Sequence, residues 1–253
     1  MTGASDMGRM ETAELVGVGV GPGDPDLLTV AAVRELCRAG RVFVPVMAPG
    51  GPGRAEALVR AHLTHDRLER LVFALSDAVA GSQRRRHDCW DAAAARVVAH
   101  LRAHGGSAAF ATLGDPSVYS TFGYLSATVR ELLPGVRIRT VPGITAMQAA
   151  ASAAGLTLVE GTEPLTLLPL SGDLVVLDDA LARGGTVVAY KGGRRLAALR
   201  ARVAAAGALD RAWCAEHLGT AEERITPLAR TDAAAYLSTV VVLPPRAGRG
   251  AQL

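Results

Sequence analysis

Several residue types are scarce in this sequence, and each scarcity excludes a class of protein. The 253 residues include only three cysteines, Cys37, Cys89 and Cys214, which are widely spaced and form no C-x-x-C pair. This spacing argues against both a disulfide framework and a structural zinc site. No apolar run approaches the roughly 20 residues that a membrane-spanning helix needs. We therefore expect no membrane association and no bound metal.

Lysine and asparagine are also nearly or wholly missing. Lys191 is the only lysine and asparagine does not occur, although Lys and Arg together number 27 against 24 Asp and Glu. An arginine bias of this kind is typical of a G+C-rich genome, so it does not by itself predict a nucleic acid partner. It is compatible with an acidic small-molecule ligand, because a guanidinium binds a carboxylate through two parallel hydrogen bonds. We expect no nucleic acid partner.

The residues that are present indicate an ordinary globular protein. Hydrophobic residues make up 49% of the chain and charged residues 20%, which supplies enough apolar side chains for a large core. The segment Met1–Glu14 is polar and of mixed charge, without the apolar stretch of a secretion signal. These features predict a cytoplasmic protein that begins with a short frayed leader.

The first half of the chain alternates short β-branched runs with alanine-rich helical patterns. Strands are predicted at Glu14–Val20, Arg41–Val46, Leu68–Leu75, Ser107–Leu113 and Val136–Val141, and helices near Asp26–Arg38, Arg54–Leu63, Gln83–His104 and Val118–Leu132. This alternation predicts an α/β domain with a mainly parallel sheet and helices on both faces.

The second half is less regular but also reads as α/β. The segments "TLLPL", "TVVAYK", "AWCAEHL" and "STVVVLP" are typical of strands, and helices are predicted near Thr145–Ala154 and Arg194–Ala206. We place the domain boundary at the "VPGIT" segment. The sequence therefore predicts two α/β domains, residues 1–141 and 142–253.

A glycine-rich stretch, "GVGVGPGDPDLLT" at Gly17–Thr29, follows the first predicted strand. It is not a dinucleotide fingerprint, because the third glycine of G-x-G-x-x-G is replaced by Pro22 or by Asp24, depending on the register. It is not a P-loop either, since the first half of the chain contains no lysine. Two interpretations remain: a turn that passes close to a ligand without phosphate, or a tight strand–helix turn with structural glycines. In either case Asp24 can cap the helix that starts at Asp26 or Leu27.

Two further loops of similar composition follow predicted strands. "ATLGDPSVYSTFGYL" (Ala111–Leu125) contains a second Gly-Asp-Pro turn, and "TVPGITAMQAAASAAG" (Thr140–Gly155) follows the fifth strand. The carboxyl ends of parallel strands meet at one edge of a sheet, where ligands bind. These three loops predict one shared ligand site.

The segments "GVGVGPGDPDLLT", "LGDPSVYSTF" and "VPGIT", in this order and spacing, resemble the tetrapyrrole methylases, and the resemblance extends from about Leu15 to Leu243. It implies two α/β domains with the active site in the cleft between them. It also implies S-adenosylmethionine as the cofactor, S-adenosylhomocysteine as its product, a tetrapyrrole substrate, no metal and a homodimer. The segments "DPSVYSTFGYL", "EGTEPLTLLP" and "VVAYKGGR" look most like the members that methylate C-20 of precorrin-2, giving precorrin-3A, in cobalamin synthesis.

The same resemblance implies a set of cofactor contacts, most of them made by the backbone. These residues are Pro22, Leu113, Gly114, Asp115, Val118, Thr121, Phe122, Thr145, Ala146, Leu167, Tyr190, Gly219 and Thr220. For Asp115 an alternative is an N-cap of the helix that begins near Ser117 or Val118, and the two roles can coexist.

Methyl transfer from a sulfonium is an in-line displacement that requires alignment and exclusion of water. The reduced tetrapyrrole is already nucleophilic, so neither a catalytic triad nor a metal is required, but a base can assist the later loss of a proton. Asp115 and Lys191 are the candidate catalytic residues. Lys191 follows the strand "TVVAY", where its ammonium can bind a substrate carboxylate, or the side chain can lose its proton and act as a base; alternatively, it is incidental.

One position departs from the branch of the family that makes precorrin-2. That branch has an aspartate after the second strand, proposed as a base, where this sequence has Pro45. The difference favours a later step of corrin synthesis. Two alternatives stay open: a methylase of the same fold with another substrate, such as cobalt-precorrin-2, and a non-catalytic ligand-binding module.

Overall fold

The computed structural model describes residues 13–47, 51, 53–64, 66–73, 82–170 and 174–248, and for residues 82–86 it describes the backbone only. Residues 1–12 of the predicted leader and residues 74–75 of the predicted third strand lie outside these ranges. The chain divides into two compact units, Met1–Thr145 and Ala146–Leu253; the sequence placed this division between residues 141 and 142. Each unit contains one five-stranded sheet with helices, which confirms the predicted pair of α/β domains.

The sheet of the first unit is entirely parallel. Its strands are β1 (Glu14–Gly19), β2 (Arg41–Val46), β3 (Leu68–Val72), β4 (Ser107–Thr112) and β5 (Arg137–Val141). They are arranged in the order β3-β2-β4-β1-β5, and each neighbouring pair is parallel. Every residue of β1 is buried, as expected for a strand inside a parallel sheet that is covered on both faces. All five carboxyl ends consequently lie at one edge.

Helices cover both faces of this sheet, as the sequence predicted. They are α1 (Val30–Arg38), α2 (Arg54–His62), α3 (Ser82–His104) and α4 (Phe122–Leu132). One hydrophobic cluster joins Phe43 and Phe110 of the sheet to Leu101 of α3 and Leu125 of α4. A second cluster lies on the opposite face of the sheet, where the alternate side chains of the same strands pack against Leu36 of α1 and Leu58 of α2. The two clusters fix the sheet from both sides.

Helix α1 begins four residues later than predicted, because two successive caps divide the segment. Asp24 accepts a hydrogen bond from the Asp26 amide (2.8 Å) and caps a 3-10 turn, Pro25–Leu27. Thr29 then accepts from the Ala32 amide (3.1 Å) and starts the α-helix at Val30. The expected cap at Asp24 is confirmed for the short turn, whereas the cap of the α-helix itself was not recognised.

The predicted start of α4 at Val118 is wrong, because the backbone between residues 118 and 122 is not helical. Tyr119 has a left-handed conformation (φ 47°), which interrupts a right-handed helix. Ser120 then accepts a hydrogen bond from the Phe122 amide (3.1 Å), and the helix begins at Phe122. Asp115 is therefore not the N-cap of α4.

The sheet of the second unit is mixed. Its strands are β6 (Leu165–Pro169), β7 (Thr186–Tyr190), β8 (Ala212–Glu216), β9 (Arg224–Pro227) and β10 (Thr239–Val242), and its helices are α5 (Ala146–Ala154), α6 (Val175–Arg183) and α7 (Leu196–Ala205). The order is β6-β7-β10-β8-β9, with β6 and β7 parallel and the other pairs antiparallel. Because β10 runs opposite to both β7 and β8, those two strands point the same way and end at the same edge.

Two elements of this unit were not predicted. Helix α6 places Leu177, Ala180 and Leu181 at helical spacing against the core formed with α7, but its sequence opens on two valines, which are typical of strands. Strand β9 has only four residues and ends at a proline, so it is too short for an alternation of apolar and polar residues to be visible.

Within the residues described, no helix combines the length and the apolar character that a membrane span requires.

Glu56 on α2 is a buried carboxylate that we expect to contribute strongly to stability. Its side chain is 2% exposed and accepts hydrogen bonds from Arg70 on β3 (2.6 and 2.9 Å) and from Arg60 (2.8 Å). The Arg70 hydrogen bonds, opposed by burial and reinforced by Arg60, lower the pKa of Glu56 from 4.5 to about 2. Since this pKa is depressed on folding, the contribution is present above pH 4.5 and disappears as the pH falls towards 2. Glu56→Gln should lower the free energy of unfolding at pH 7 by about 3 kcal/mol.

Urea unfolding of wild type and Glu56→Gln between pH 7 and pH 2.5 checks this expectation. The difference between their free energies of unfolding should shrink below pH 4.5. Asp232→Asn is the control, because Asp232 is 92% exposed in its pair with Arg200. Loss of this exposed ion pair should lower the free energy of unfolding by less than about 0.5 kcal/mol. Equal stability of Glu56→Gln and wild type at pH 7 would contradict the account.

Candidate active site

Three loops meet at the carboxyl edge of the first sheet. The first loop (residues 20–29) follows β1, the second (113–121) follows β4 and the third (142–145) follows β5. The first two are joined by a short antiparallel bridge, in which the Gly114 amide donates to the Gly21 carbonyl (2.8 Å). Gly21 and Gly114 both have left-handed backbones (φ 75° and 66°), which explains glycine at these two positions.

The three loops approach each other too closely for side chains at two other glycines. A Cβ atom at Gly19 would lie 2.6 Å from both the Gly114 oxygen and the Gly143 nitrogen. A Cβ atom at Gly143 would collide with the same Gly114 oxygen and lie 2.8 Å from the Gly19 carbonyl carbon. The sequence left open whether the glycines admit a ligand or are structural. At Gly19 and Gly143 the close neighbour is the backbone of the protein itself.

Asp115 connects the second loop to the third. One carboxylate oxygen accepts hydrogen bonds from the Ser117 amide (2.7 Å) and the Ser117 hydroxyl, and the other accepts from the Gly143 amide (2.9 Å). Burial opposes ionisation, but the hydrogen bonds from Ser117 and Gly143 outweigh it, and the pKa of Asp115 lies below its ordinary value. A carboxylate with a lowered pKa and both oxygens engaged is a weak base. The contacts favour a positioning role, and the assignment of Asp115 as catalytic stays a prediction.

The charges of the three loops have one sign. They contain the carboxylates of Asp24, Asp26 and Asp115 and no lysine, arginine or histidine. A phosphate would meet like charge here, whereas a cationic ligand would be attracted. The three loops therefore suit a positively charged ligand better than a phosphate.

All eight cofactor contacts expected in the first unit belong to these loops or directly follow them. They are Pro22 in the first loop, Leu113, Gly114, Asp115, Val118 and Thr121 in the second, Phe122 at the start of α4, and Thr145 in the third. The Phe122 ring is buried in the core beside Phe110 and covers Gly17, where a Cβ would lie 2.6 Å from it. Phe122 therefore presents its backbone rather than its ring to a ligand at this edge.

The second unit has an edge of its own, at the ends of β7 and β8. In the sheet register, Thr239 lies between Tyr190 and Ala215, so these two strands end side by side around β10. Lys191 directly follows β7 and has a left-handed backbone (φ 61°), with its amide donating to the Ser238 carbonyl (3.0 Å). A non-glycine residue held in this conformation is strained and is often found at functional sites. The position of Lys191 at a strand end agrees with the sequence-based expectation.

The remaining predicted contacts in this unit are more scattered. Ala146 is the first residue of α5, and Leu167 lies in the middle of β6, opposite Val188, rather than at a strand end. Gly219 and Thr220 belong to a turn after β8 in which the Gly219 amide already donates to Glu223 (2.7 Å). The individual cofactor contacts in both units stay predictions.

Glu216 is a structural residue of this edge that the sequence did not reveal. It is 1% exposed, accepts from Arg224 on β9 (2.9 and 2.6 Å) and accepts from the Ala235 amide (2.5 Å). It thus ties β8 to β9 and to the segment before β10. The only sequence signal for this role was a charged residue at the end of an otherwise apolar strand.

Cys214 lies near Glu216 in the same strand. Burial and, secondarily, Glu216 raise the pKa of the Cys214 thiol to about 12, so Cys214 is not a nucleophile.

No three His, Cys, Asp or Glu side chains lie together as a metal-binding group in the part of the chain that the structure describes. Among the described residues, the three loops of the first unit supply backbone turns and carboxylates, and the edge of the second unit adds cationic side chains.

Comparison with known proteins identifies the family to which this chain belongs. The family model of the Tetrapyrrole (Corrin/Porphyrin) Methylases matches residues 14–234, and the chain belongs to this family. The expectation of a methyltransferase is confirmed with it. The precorrin-2 C(20)-methyltransferase of a Sinorhizobium species is 35% identical over 243 residues, which cover 93% of this chain and 97% of that protein.

Two other known proteins are informative. A probable cobalt-precorrin-2 C(20)-methyltransferase of Methanocaldococcus jannaschii is 34% identical over 161 residues, or 64% of this chain and 66% of that one. The crystal structure of the uroporphyrin-III C-methyl transferase of Thermus thermophilus, complexed with S-adenyl homocysteine, superposes with a TM-score of 0.60. It is 23% identical and covers 90% of this chain and 97% of that chain, which shows the shared fold.

Proposed function

We propose that this protein is an S-adenosylmethionine-dependent methyltransferase that methylates C-20 of precorrin-2 to give precorrin-3A in cobalamin synthesis. The similarity that carries the choice of substrate is the 35% identity, over nearly the whole length of both chains, to a precorrin-2 C(20)-methyltransferase. Strand β2 has Pro45 near its end and no aspartate there, which fits a step after precorrin-2 has been made.

The edge of the first unit fits the proposed cofactor. S-adenosylmethionine carries a sulfonium, an ammonium and a carboxylate, hence a net positive charge and no phosphate, and the three loops offer carboxylates without a cationic side chain. When bound, it supplies an electrophilic methyl group on its sulfur. A solved relative, complexed with S-adenyl homocysteine, supports the same ligand here. Asp115 would act by keeping the second and third loops together, so that their backbone groups keep a fixed geometry.

The edge of the second unit suits an acidic substrate. As an ammonium, Lys191 would bind a carboxylate at the periphery of the tetrapyrrole; as a neutral amine, it would accept the proton released after methylation. The left-handed backbone at Lys191 supports a functional role for this position, because such strain often occurs at functional sites. We also propose a homodimer, as the family resemblance implies, and light scattering of the purified protein would test the oligomeric state.

Two substitutions of Lys191 separate a functional lysine from an incidental one. Lys191→Arg keeps the charge and the strained backbone but replaces a compact ammonium, and turnover should fall at least tenfold, or about 1.4 kcal/mol in the barrier. Lys191→Gly relieves the strain, so its melting temperature should equal or exceed that of wild type while its turnover also falls. Wild-type rates in Lys191→Arg would show that the lysine is incidental.

A comparison of substrates tests the proposed function. Purified protein with S-adenosylmethionine should add one methyl group to precorrin-2, measured by mass spectrometry of the product. The second candidate is cobalt-precorrin-2, favoured by the relative from Methanocaldococcus jannaschii, and kcat/KM for the two substrates decides between them. Binding of S-adenosylhomocysteine in the presence of a metal chelator should be unchanged. Tight cofactor binding without turnover of any tetrapyrrole would indicate a non-catalytic module.

A further inference from the structure

Arg194 differs from most arginines of this protein in what it contacts. Its guanidinium carbon lies 4.8 Å from the centre of the Tyr236 ring, over the ring face, and the side chain is exposed. Arg139, Arg224 and Arg246, by contrast, each form ion pairs with a buried glutamate. Among the described residues, no carboxylate lies within ion-pair distance of Arg194. Its hydrogen-bond donors therefore have no anionic partner in the part of the chain that the structure describes.

The backbone around Arg194 is built so that the tyrosine lies against it. A Cβ atom at Gly193 would collide with the Ala235 oxygen and lie 2.7 Å from the Ala234 oxygen. Only glycine therefore lets the turn Gly193–Arg195 press against the segment that carries Tyr236. The same segment is also bound to β8, because the Ala235 amide donates a hydrogen bond to the Glu216 carboxylate (2.5 Å). The arginine and the ring are brought together by the fold rather than by chance contact of two flexible side chains.

This pair lies at the edge where β7 ends. Tyr190 is the last residue of β7, Lys191 follows it, and the turn with Arg194 comes directly afterwards. The Lys191 amide donates to the Ser238 carbonyl (3.0 Å), in the same segment that carries Tyr236. Three cationic residues, Lys191, Arg194 and Arg195, thus belong to adjoining turns at the edge where β7 and β8 end.

A guanidinium stacked on an aromatic ring has one face covered while its N–H groups still point outward in the plane. The ring restricts the orientation of the guanidinium and adds a cation–π attraction. The in-plane N–H groups match the two oxygens of a carboxylate, with which they form parallel charge-assisted hydrogen bonds. The arrangement is suited to an anionic group that arrives with a ligand.

We propose that Arg194, oriented by Tyr236, binds a carboxylate at the periphery of the tetrapyrrole substrate and thereby determines affinity for that substrate. The inference rests on the proposed function, since it takes the polycarboxylate nature of the substrate from it. The contact is an ion pair that forms on binding and contributes nothing to the cofactor site or to the methyl-transfer step.

Steady-state kinetics with precorrin-2 and calorimetry with S-adenosylhomocysteine test the proposal. Arg194→Ala should raise KM for precorrin-2 at least tenfold, with kcat within twofold and S-adenosylhomocysteine affinity unchanged. Tyr236→Leu, which removes the ring but keeps the guanidinium, should raise KM by a smaller factor. Arg183→Ala is the matched control, because Arg183 ends α6 shortly before the opposite end of β7; its KM should equal that of wild type.

The proposal is overturned if KM of Arg194→Ala stays within twofold of wild type, or if Arg183→Ala raises KM equally, which would indicate a general effect of charge. A loss of S-adenosylhomocysteine affinity in Arg194→Ala would also overturn it. If wild type does not turn over precorrin-2, the proposed function fails separately. The same variants are then compared by equilibrium titration with precorrin-2, where weaker binding by Arg194→Ala alone supports carboxylate recognition and equal or absent binding contradicts it.

Discussion

Gly143→Ala should lower the affinity for S-adenosylhomocysteine by at least about 100-fold, which corresponds to roughly 2.8 kcal/mol. The added methyl group would collide with the Gly114 oxygen and the Gly19 backbone, neither of which is a flexible side chain. Relief requires the three loops of the first unit to separate, and overpacking of this kind typically costs about 1–3 kcal/mol. Calorimetry at a temperature where the variant is folded measures the effect.

Gly123→Ala is the matched control for this substitution. Gly123 lies near the start of α4, one residue after the predicted contact at Phe122, and a Cβ there would meet no atom within 4 Å. Alanine in a helix is more stable than glycine by up to about 1 kcal/mol, so the control should be slightly stabilised and bind normally. If Gly143→Ala bound S-adenosylhomocysteine as tightly as Gly123→Ala, the close packing of the loops would be irrelevant to the ligand.

Asp115→Asn should have the second largest effect, lowering the affinity for S-adenosylmethionine at least about 30-fold, or roughly 2 kcal/mol. Both oxygens of Asp115 accept hydrogen bonds, so an amide NH2 group must face a donor, either Gly143 or Ser117. The loop contact and one of the negative charges are lost together. The melting temperature should fall only slightly, since the lost contacts are worth about 1 kcal/mol of stability.

Asp26→Asn distinguishes the loop contact from the charge alone. Asp26 is exposed and lies in the first loop, and its substitution removes the same charge without breaking a contact between loops. Equal losses in the two variants would mean that Asp115 acts only through its charge. Because the pKa of Asp115 lies below its ordinary value of 3.8, wild-type affinity should show no change due to this group between pH 8 and pH 5.

The first sheet could be predicted from the sequence because its strands are short segments rich in apolar or β-branched residues that alternate with helical patterns. The second was harder. Strand β9 is four residues long, and α6 begins with Val175 and Val176, so local propensity pointed away from the observed structure. The start of α4 depended on a left-handed Tyr119, a conformation for which tyrosine has no preference.

The candidate site was predictable as a set of loops but not as a set of contacts. Strand order in a parallel sheet places loops such as the second and third together, and glycine, proline and serine marked them. What each glycine contacts depends on residues distant in the chain: Gly19 meets Gly143, and Gly193 meets Ala235. The stacking of Arg194 on Tyr236 likewise follows from that tertiary approach, for which the sequence gives no local signal.

The central claim is tested most directly by the position of the transferred methyl group. The purified protein is incubated with precorrin-2 and S-adenosylmethionine that carries a ¹³C-labelled methyl group, and the product is examined by NMR. We expect a single labelled methyl group, bonded to C-20. A labelled methyl group at any other carbon, or no transfer although S-adenosylhomocysteine binds, would contradict the assignment.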